Sequence, residues 1–191
     1  MASAYLTRTP SGGNYKIATF SAWVKRSAIS NAEQHLISFR STDTYQFNIK
    51  FQADDCIRLT DYAGAINMKL VTNRKFRDTS AWYHIVASFD TTQSTASDRA
   101  KLWVNGVQET SFSTETYPSQ NVNMQINGNI SSNLVGAYSS SNYYFDGYMS
   151  HVHWIDGTQY QASDFGETDA TTGIWKPKTA PSVTYGTNGF F

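Results

Sequence analysis

The stretch WYHIVASFD, residues 82–90, decides the fold class that the sequence predicts. Along it, apolar side chains alternate with smaller or polar ones, so that Tyr83, Ile85, Ala87 and Phe89 share one face. An alternation with a period of two is typical of a β-strand with one face buried. The stretch KIATFSAWVKR, residues 16–26, repeats the pattern. Both stretches therefore predict half-buried strands.

Short segments of the same kind fill most of the remaining chain. HLISFR, YQFNIKF, CIRLTDY and INMKLV are separated by STDT, QADD and AGA, and NMQIN, NLVGAY, YYFDGYMSHVHWI and VTYGTNGFF follow. In AKLWVNGVQETSF, Asn105-Gly106 lies between two apolar runs and predicts a tight hairpin, because a type I′ turn needs positive φ at both central residues. Only Ser163–Gly166 indicates a helical turn that ends at glycine. The chain is predicted to be all-β, with two antiparallel sheets packed face to face in one domain, residues 1–191.

Composition excludes several classes of protein. Lys plus Arg equals Asp plus Glu at 15 each, so no uniform charge attracts nucleic acid or an anionic membrane. No segment has the length or apolarity of a secretory signal or a membrane span. Cys56 is the only cysteine, which excludes an internal disulfide. Because it follows two aspartates, which raise a thiol pKa, Cys56 is interpreted as a buried structural thiol.

The aromatic residues allow two interpretations. The loop AYSSSNYYFDGY combines tyrosines with small polar residues, and such mixtures suit sugars, which present flat apolar faces and many hydroxyls. The alternative is that these tyrosines decorate the outer face of a strand or pack between protomers. Of the five tryptophans, Trp23, Trp82, Trp103 and Trp154 are predicted core residues, and Trp175 is predicted to cap the edge of the sandwich. The candidate glycan-binding residues are Tyr138, Asn142, Tyr143, Tyr144, Asp146 and Tyr148.

Several longer segments together resemble one known family. They are YLTRTPS and FSAWVKRS near the start, WYHIVASFD, KLWVNG, YFDGYMSHVHWIDG, SDFGETDATTGIWKPK and YGTNGFF. Almost the whole chain is similar to the concanavalin A-like, laminin-G-like domains of bacteriophage structural proteins, particularly those of marine and cyanobacterial phages. Relatives often carry an additional strand before YLTRTP, so the resemblance leaves open whether the natural protein is longer.

The resemblance implies a jelly-roll β-sandwich and a non-enzymatic role. It implies a module of a tail fibre, spike or head appendage on the surface of the virion. There the module binds a host-surface glycan as a receptor-binding or adhesion domain. The alternative is a capsid decoration or head-fibre protein that binds other virion proteins. In either role we expect a homo-oligomer within an assembly.

The same family bears on calcium, because concanavalin A-like domains often bind it through loop aspartates and backbone carbonyls. Asp90 and Asp146 are the candidate ligands, since both lie at strand ends or turns. Aspartates beside flexible turns have an equally good explanation as acceptors of backbone N–H bonds. Calcium is thus an expectation that the sequence leaves open.

Enzymatic and histidine-based sites are weaker hypotheses. Glycosidases of this fold place three acids at alternate positions of one strand, whereas Glu167-Thr168-Asp169 continues without a third acid. A glycoside hydrolase is therefore the least favoured function. His151 and His153 share one predicted strand face and would supply half of a metal site, and the simpler interpretation is a polar outer face. His84 is predicted to lie half-buried and hydrogen-bonded.

Overall fold

The two strands with the clearest alternation lie side by side in one sheet. The computed structural model describes residues 4–29, 32–128 and 132–191. Its strands are β1 (Leu6–Arg8), β2 (Ile17–Arg26), β3 (Gln34–Thr42), β4 (Tyr45–Phe51), β5 (Cys56–Ala63), β6 (Ile66–Lys75), β7 (Tyr83–Asp90), β8 (Ala100–Val104), β9 (Val107–Glu109), β10 (Phe112–Thr116), β11 (Ser132–Val135), β12 (Gly147–Asp156), β13 (Gly166–Thr168) and β14 (Trp175–Pro177). The helical elements are α1 (Ala162–Phe165) and a 3₁₀ turn at Ala96–Asp98. No helix in the described ranges is long and apolar enough to cross a membrane.

Two antiparallel sheets form a sandwich. The seven-stranded sheet has the order β1-β11-β3-β4-β5-β6-β10, and the five-stranded sheet has the order β12-β2-β7-β8-β9. Strands β13 and β14 form a separate two-stranded ribbon. The predicted all-β antiparallel sandwich is confirmed.

The core lies between the facing sides of the two sheets. The alternating residues of β2, Ala18, Phe20, Ala22 and Val24, are fully buried there, as predicted. Phe47 of β4 meets Phe89 of β7 edge to face, with ring centroids 5.2 Å apart, and so joins the two sheets. Burial of each such ring stabilises the fold by about 1.5–3 kcal/mol.

The predictions for tryptophan are confirmed only in part. Trp154 and Trp103 are buried, whereas Trp23 is half-buried and Trp82 is exposed. Trp82 precedes the first residue of β7, so it lies outside the alternation that directs side chains into the core.

Strand β7 is buried on both faces, which corrects the prediction of a half-buried strand. Its outward residues His84, Val86 and Ser88 are fully buried. A second apolar cluster covers them, in which Trp103, Ile155, Ala162 and Phe165 join Val86 and pack against Tyr160, Trp175, Val183 and Tyr185. The chain from α1 onward therefore covers the outer face of the five-stranded sheet. Trp175 was predicted to cap the edge of the sandwich, and it lies instead in this layer over the outer face of the sheet.

Local turn chemistry follows the sequence closely. Asn105 and Gly106 have φ of 50° and 83° and join β8 to β9, as a type I′ hairpin requires. The helical turn lies at Ala162–Phe165, and its Gln161 side chain and Asp164 form a reciprocal capping box. Gly166 has an extended backbone with φ of −131°, so the helix does not end in the left-handed conformation expected of a glycine stop.

Two predicted strands are absent from the described residues. NMQIN, residues 123–127, is irregular, and VTYGTNGFF contributes only an isolated bridge between Trp154 and Phe190. The tail is instead held by Asp156, whose Oδ2 accepts hydrogen bonds of 3.1 Å from both the backbone N and the Nδ2 of Asn188. The Oδ1 of Asp156 accepts from Asn14 N and Asn127 Nδ2, so one carboxylate joins both ends of the chain.

Candidate functional site

The tyrosine-rich loop between β11 and β12 is pinned to the sandwich at both ends. Gly136 N donates to Leu36 O over 2.9 Å, and Phe145 N donates to Gly136 O over 2.8 Å. The Phe145 ring is buried and packs beside Phe51. Phe145 enters the core between Tyr143 and Asp146, and these two loop residues line different clefts.

The first cleft, here called the outer-face cleft, lies on the outward side of the seven-stranded sheet. In β4 and β5 alternate residues point into the core, so their neighbours point outward. The register sets these outward residues opposite one another as Gln46 with Tyr62, Asn48 with Thr60 and Lys50 with Arg58. The cleft holds about 220 Å³ and is lined by Glu33, Gln46, Asn48, Lys50, Arg58, Thr60, Tyr62, Tyr138 and Tyr143.

Two of the predicted tyrosines form one wall of this cleft. The Tyr138 hydroxyl donates to Asp43 Oδ1 over 2.9 Å, and its ring lies 4.9 Å from the guanidinium of Arg40. The ring of His35 supports both tyrosines from below, with centroids 4.9 Å from Tyr138 and 6.0 Å from Tyr143. Tyr138 is thus fixed by its partners, while Tyr143 is 45% exposed and presents its ring.

An ion pair also lines the outer-face cleft. Lys50 Nζ lies 2.6 Å from Glu33 Oε2, and the Nε2 of His35 lies 3.5 Å from the same oxygen. The hydrogen bond to His35 and the adjacent Lys50 ammonium hold the pKa of Glu33 down to about 2. Burial lowers the pKa of His35 to about 4, so its ring is neutral at pH 7. The charged partner of Glu33 is therefore Lys50.

Two groups in the outer-face cleft lack a matching partner among the described residues. Asn48 is 2% exposed, and its Oδ1 accepts no hydrogen bond from any described residue, although its Nδ2 donates to Gln46 Oε1 over 3.0 Å. Arg58 donates through Nε to Thr60 Oγ1 over 2.7 Å, and it takes part in no ion pair within the described ranges. A buried acceptor without a partner costs about 1–3 kcal/mol. Because this oxygen is also shielded from solvent, Arg58 is the one of the two groups that a ligand in the cleft can reach.

The other predicted loop residues lie elsewhere. Asp146 and Tyr148 line a second cleft of about 510 Å³, here called the edge cleft, which lies between the edge strands β1 and β12 and also includes Tyr5 and Leu6. The remaining two predicted residues, Asn142 and Tyr144, form hydrogen bonds within the loop. Asn142 Oδ1 accepts from Ser139 Oγ over 2.8 Å, and the Tyr144 hydroxyl donates to Ser140 O over 2.5 Å. Only Tyr138 and Tyr143 of the six predicted residues line the outer-face cleft.

The predicted calcium ligands do not form a recognisable metal centre. Asp90 accepts hydrogen bonds from the N and Oγ1 of Thr92 and from Gln93 Nε2, so both of its carboxylate oxygens serve its own turn. No group of three His, Cys, Asp or Glu residues among those described is placed to hold a metal ion. Calcium at Asp90 and Asp146 stays a prediction, and the structure gives Asp90 a different role.

The two histidines of β12 do not share an outer face, which corrects the prediction. A bulge between Ser150 and His153 interrupts the alternation, and His151 takes a φ of 48°. His151 is exposed, whereas His153 is buried, hydrogen-bonded through Nδ1 to the Tyr185 hydroxyl at 2.8 Å, and stacked on Phe191. Burial lowers the pKa of His153 to about 4, so its ring is neutral at pH 7.

The remaining reactive candidates have structural surroundings. Cys56 is buried, and burial together with Asp54 raises the pKa of its thiol, as predicted. Glu167 and Asp169 lie 3.7 and 2.9 Å from Lys176 Nζ, in and beside the β13–β14 ribbon. The hydrogen bonds that Asp169 accepts from Lys176 and from Thr171 and Thr172 hold its pKa well below the usual range, so it does not act as a proton donor.

With this geometry in place, sequence comparison defines the class of protein. The family model of the concanavalin A-like lectin/glucanases superfamily, Laminin_G_3, matches residues 3–163. The chain belongs to this family. A comparison with curated proteins found no match.

Solved structures with the same fold come from several organisms. A heptameric SAP-like pentraxin of Limulus polyphemus has a TM-score of 0.53 and 10% identity over 82% of this chain and 71% of its own. Domains LG4-5 of the mouse laminin alpha1 chain have a TM-score of 0.53 and 14% identity over 79% of this chain and 38% of theirs. Domain 4 of an extracellular GH43 arabinanase of Geobacillus stearothermophilus, in complex with arabinotriose, has a TM-score of 0.52 and 15% identity over 82% of this chain and 68% of its own. At these identities the likeness shows a shared fold.

Proposed function

We propose that this protein is a non-enzymatic carbohydrate-binding module and that the outer-face cleft is its binding site. The observation that carries the proposal is the exposed ring of Tyr143 in the same cleft as Arg58, whose guanidinium forms no ion pair with a described residue. An aromatic ring covers the apolar face of a sugar, and polar groups beside it bind its polar substituents. The lectin/glucanase superfamily and the arabinotriose held by a domain of the same fold are consistent with this role.

The outer-face cleft is suited to binding and not to glycoside hydrolysis. Hydrolysis needs two carboxyl groups on either side of the scissile bond, one of them able to donate a proton. Among the described residues that line the cleft, Glu33 is the one carboxylate, and its low pKa of about 2 keeps it ionised. We therefore propose retention of the sugar without turnover.

We also propose that the module works on the surface of a phage particle, as part of a tail fibre or head appendage that attaches to a host glycan. The support is the resemblance carried by YFDGYMSHVHWIDG and SDFGETDATTGIWKPK. A shallow site with few polar contacts binds weakly, and several copies on one particle would raise the avidity. Immunogold labelling of intact virions would locate the protein.

A glycan array tests the binding function. Tyr143 has a φ of 53°, so Tyr143→Asn removes the ring and keeps a residue that tolerates the left-handed region. We expect affinity to fall about tenfold, which corresponds to about 1.4 kcal/mol. The matched control is Tyr148→Asn in the edge cleft, which should bind like the unmodified protein. Equal loss in both variants, or binding of no glycan by the unmodified protein, would refute the assignment.

The edge cleft favours a second candidate function, contact with another virion protein. Leu6 is 72% exposed and Tyr148 is 62% exposed, and both line this cleft beside the edge strand β1. An exposed strand edge with apolar side chains is a common docking surface for a protein. In this role Tyr148→Asn would weaken incorporation into particles, whereas Tyr143→Asn would leave it unchanged.

A further inference from the structure

The charges of the outer-face cleft are not balanced. Among its lining residues Glu33 is the one carboxylate, and it is paired with Lys50 at 2.6 Å. The nearby Asp43 is paired with Arg40 at 2.6 Å and also accepts from Tyr138. These pairs leave Arg58 as a cation without a counter-charge in the described part of the cleft.

Neighbouring charges add to this excess. Lys69 of β6 lies opposite Thr60 in the sheet register, next to the outward row that contains Arg58. Burial lowers the pKa of Lys50, and the positive charges of Arg58 and Lys69 lower it further. Because Glu33 offsets the charge of Lys50, Arg58 and Lys69 leave an excess of positive charge at the floor of the cleft.

The two Nη groups of Arg58 are available for a bidentate contact with an anion. Its Nε is held by Thr60 Oγ1 at 2.7 Å, and its two Nη groups donate to no described residue. Holding Nε fixes the plane of the guanidinium, and a planar guanidinium pairs with two oxygens of one anionic group. A carboxylate and a sulfate ester both present such oxygens.

We infer that the outer-face cleft binds an acidic saccharide, whose carboxylate or sulfate group pairs with the two Nη groups of Arg58. Tyr143 covers the apolar face of the ring. The inference rests on the proposed carbohydrate-binding function and specifies the chemical class of its ligand. It assigns Arg58 as the residue that distinguishes acidic from neutral sugars.

Matched saccharide pairs test this inference by calorimetry. The pairs are a uronic-acid oligosaccharide with its carboxyl-reduced form, and a sulfated oligosaccharide with its desulfated form. We expect at least one acidic member to bind about tenfold more tightly than its neutral partner, and we expect this preference to shrink as salt is raised. Which pair shows the preference tells a carboxylate ligand from a sulfated one. Inorganic sulfate and acetate, tested alone, should bind far more weakly than the saccharide.

Variants connect the preference to the guanidinium. Arg58→Gln should abolish the preference for the acidic member. Arg58→Lys should retain part of it, because a lysine keeps the charge but cannot pair with two oxygens through a planar guanidinium. Lys25→Gln, which removes the same charge from the five-stranded sheet, should leave the preference unchanged. The thermal transition of each variant verifies folding.

The possible failures are distinguishable. Equal binding of acidic and neutral members, a preference that survives in Arg58→Gln, or free sulfate that binds as tightly as the saccharide would overturn the acidic-ligand inference. With saccharide binding still observed, the proposed function would stand. Binding of no saccharide at all would overturn both.

Discussion

Trp175 donates a hydrogen bond to His84 on the outer face of the five-stranded sheet and so fixes which ring nitrogen of His84 carries the proton. The Trp175 Nε1 donates to His84 Nδ1 over 2.9 Å, and the two rings stack with centroids 6.0 Å apart. An indole N–H only donates, so His84 Nδ1 carries no proton. The proton is therefore on Nε2, which donates to Ser21 Oγ over 2.9 Å. This chain of bonds attaches the covering C-terminal segment to the sheet.

Removal of the indole N–H tests this attachment. Trp175→Phe keeps an aromatic ring but leaves the buried His84 Nδ1 without a donor, so we expect a loss of about 1–3 kcal/mol in the free energy of unfolding. Urea unfolding measures the loss. Trp82→Phe, at an exposed position, is the control and should change stability by less than about 0.5 kcal/mol. Equal effects of the two substitutions would contradict the proposed role of the bond.

Two glycines distinguish the cost of backbone strain from the cost of a steric clash. One is Gly186 in the C-terminal tail, and the other is Gly173 in the turn between β13 and β14. Gly186 and Gly173 have φ of 73° and 70°, so alanine is strained at both. A Cβ at Gly186 would lie 2.0 Å from Asp156 O, whereas a Cβ at Gly173 would meet nothing within 4 Å. We expect Gly173→Ala to cost about 1–2 kcal/mol and Gly186→Ala to cost about 1–3 kcal/mol more. Thermal unfolding measures both, and equal costs would show that the tail does not pack on Asp156.

A buried ion pair supports the end of the sandwich near Phe76. Arg26 is fully buried, and its Nη1 lies 2.9 Å from Asp55 Oδ1 and donates to Phe76 O over 2.7 Å. Asp55 has a φ of 71°, which asparagine tolerates. Asp55→Asn removes the counter-charge of a buried guanidinium, and we expect a loss of about 3–5 kcal/mol.

The neighbouring aspartate is the control for this ion pair. Asp54→Asn alters an exposed residue that is hydrogen-bonded to Cys56 N, and it should cost less than about 1 kcal/mol. Chemical denaturation of the two variants in parallel gives the comparison. If Asp54→Asn proved the more damaging substitution, the ion pair would not have the importance assigned to it.

Stability should fall as the solution is acidified from pH 7. Burial lowers the pKa of His35 and His153 to about 4 and of His84 to about 3, from an ordinary value of 6.5. Below pH 6.5 the histidines of the unfolded chain bind protons, whereas the buried rings of the folded protein stay neutral. The stabilisation is therefore complete above pH 6.5 and declines as pH falls toward the folded values, by up to about 1.4 kcal/mol per pH unit for each ring.

Asp61 opposes this trend. Burial raises the pKa of its carboxyl to about 6 from an ordinary 3.8, so the folded state takes up a proton first and gains stability as pH falls between those values. Urea midpoints at pH 7.5, 6.5, 5.5 and 4.5 should decline because three rings outweigh one carboxyl. In Asp61→Asn the decline should be steeper. A midpoint that is constant or rises toward pH 4.5 would contradict the assignment of buried neutral histidines.

The fold was predictable where its signals are local. The alternation in β2 and the Asn105-Gly106 turn need only neighbouring residues, and both are confirmed. The burial of both faces of β7 depends on Phe165 and Trp175, which lie far along the chain, so no local pattern reveals it. The bulge before His153 likewise shifts side chains without a distinct signal in the sequence.

The candidate site was predictable only in part for a similar reason. Tyr138 and Tyr143 were found through the composition of their loop. Asn48 and Arg58 were missed because outward polar residues on alternating strands look like an ordinary solvated face. Only the register of β4 with β5 and the return of the loop over β3 place them beside Tyr143. The polar residues at every second position of QFNIKF and IRLTDY are the sequence signal that could have indicated a shared polar face.

An amide-resolved NMR titration with the tightest acidic oligosaccharide tests the central claim most directly. The outer-face cleft as the carbohydrate site predicts that the largest shift changes fall on residues 46–50, 58–62 and 138–143. Changes centred on the edge cleft at Leu6 and Tyr148, or no changes at saturating sugar, would contradict it.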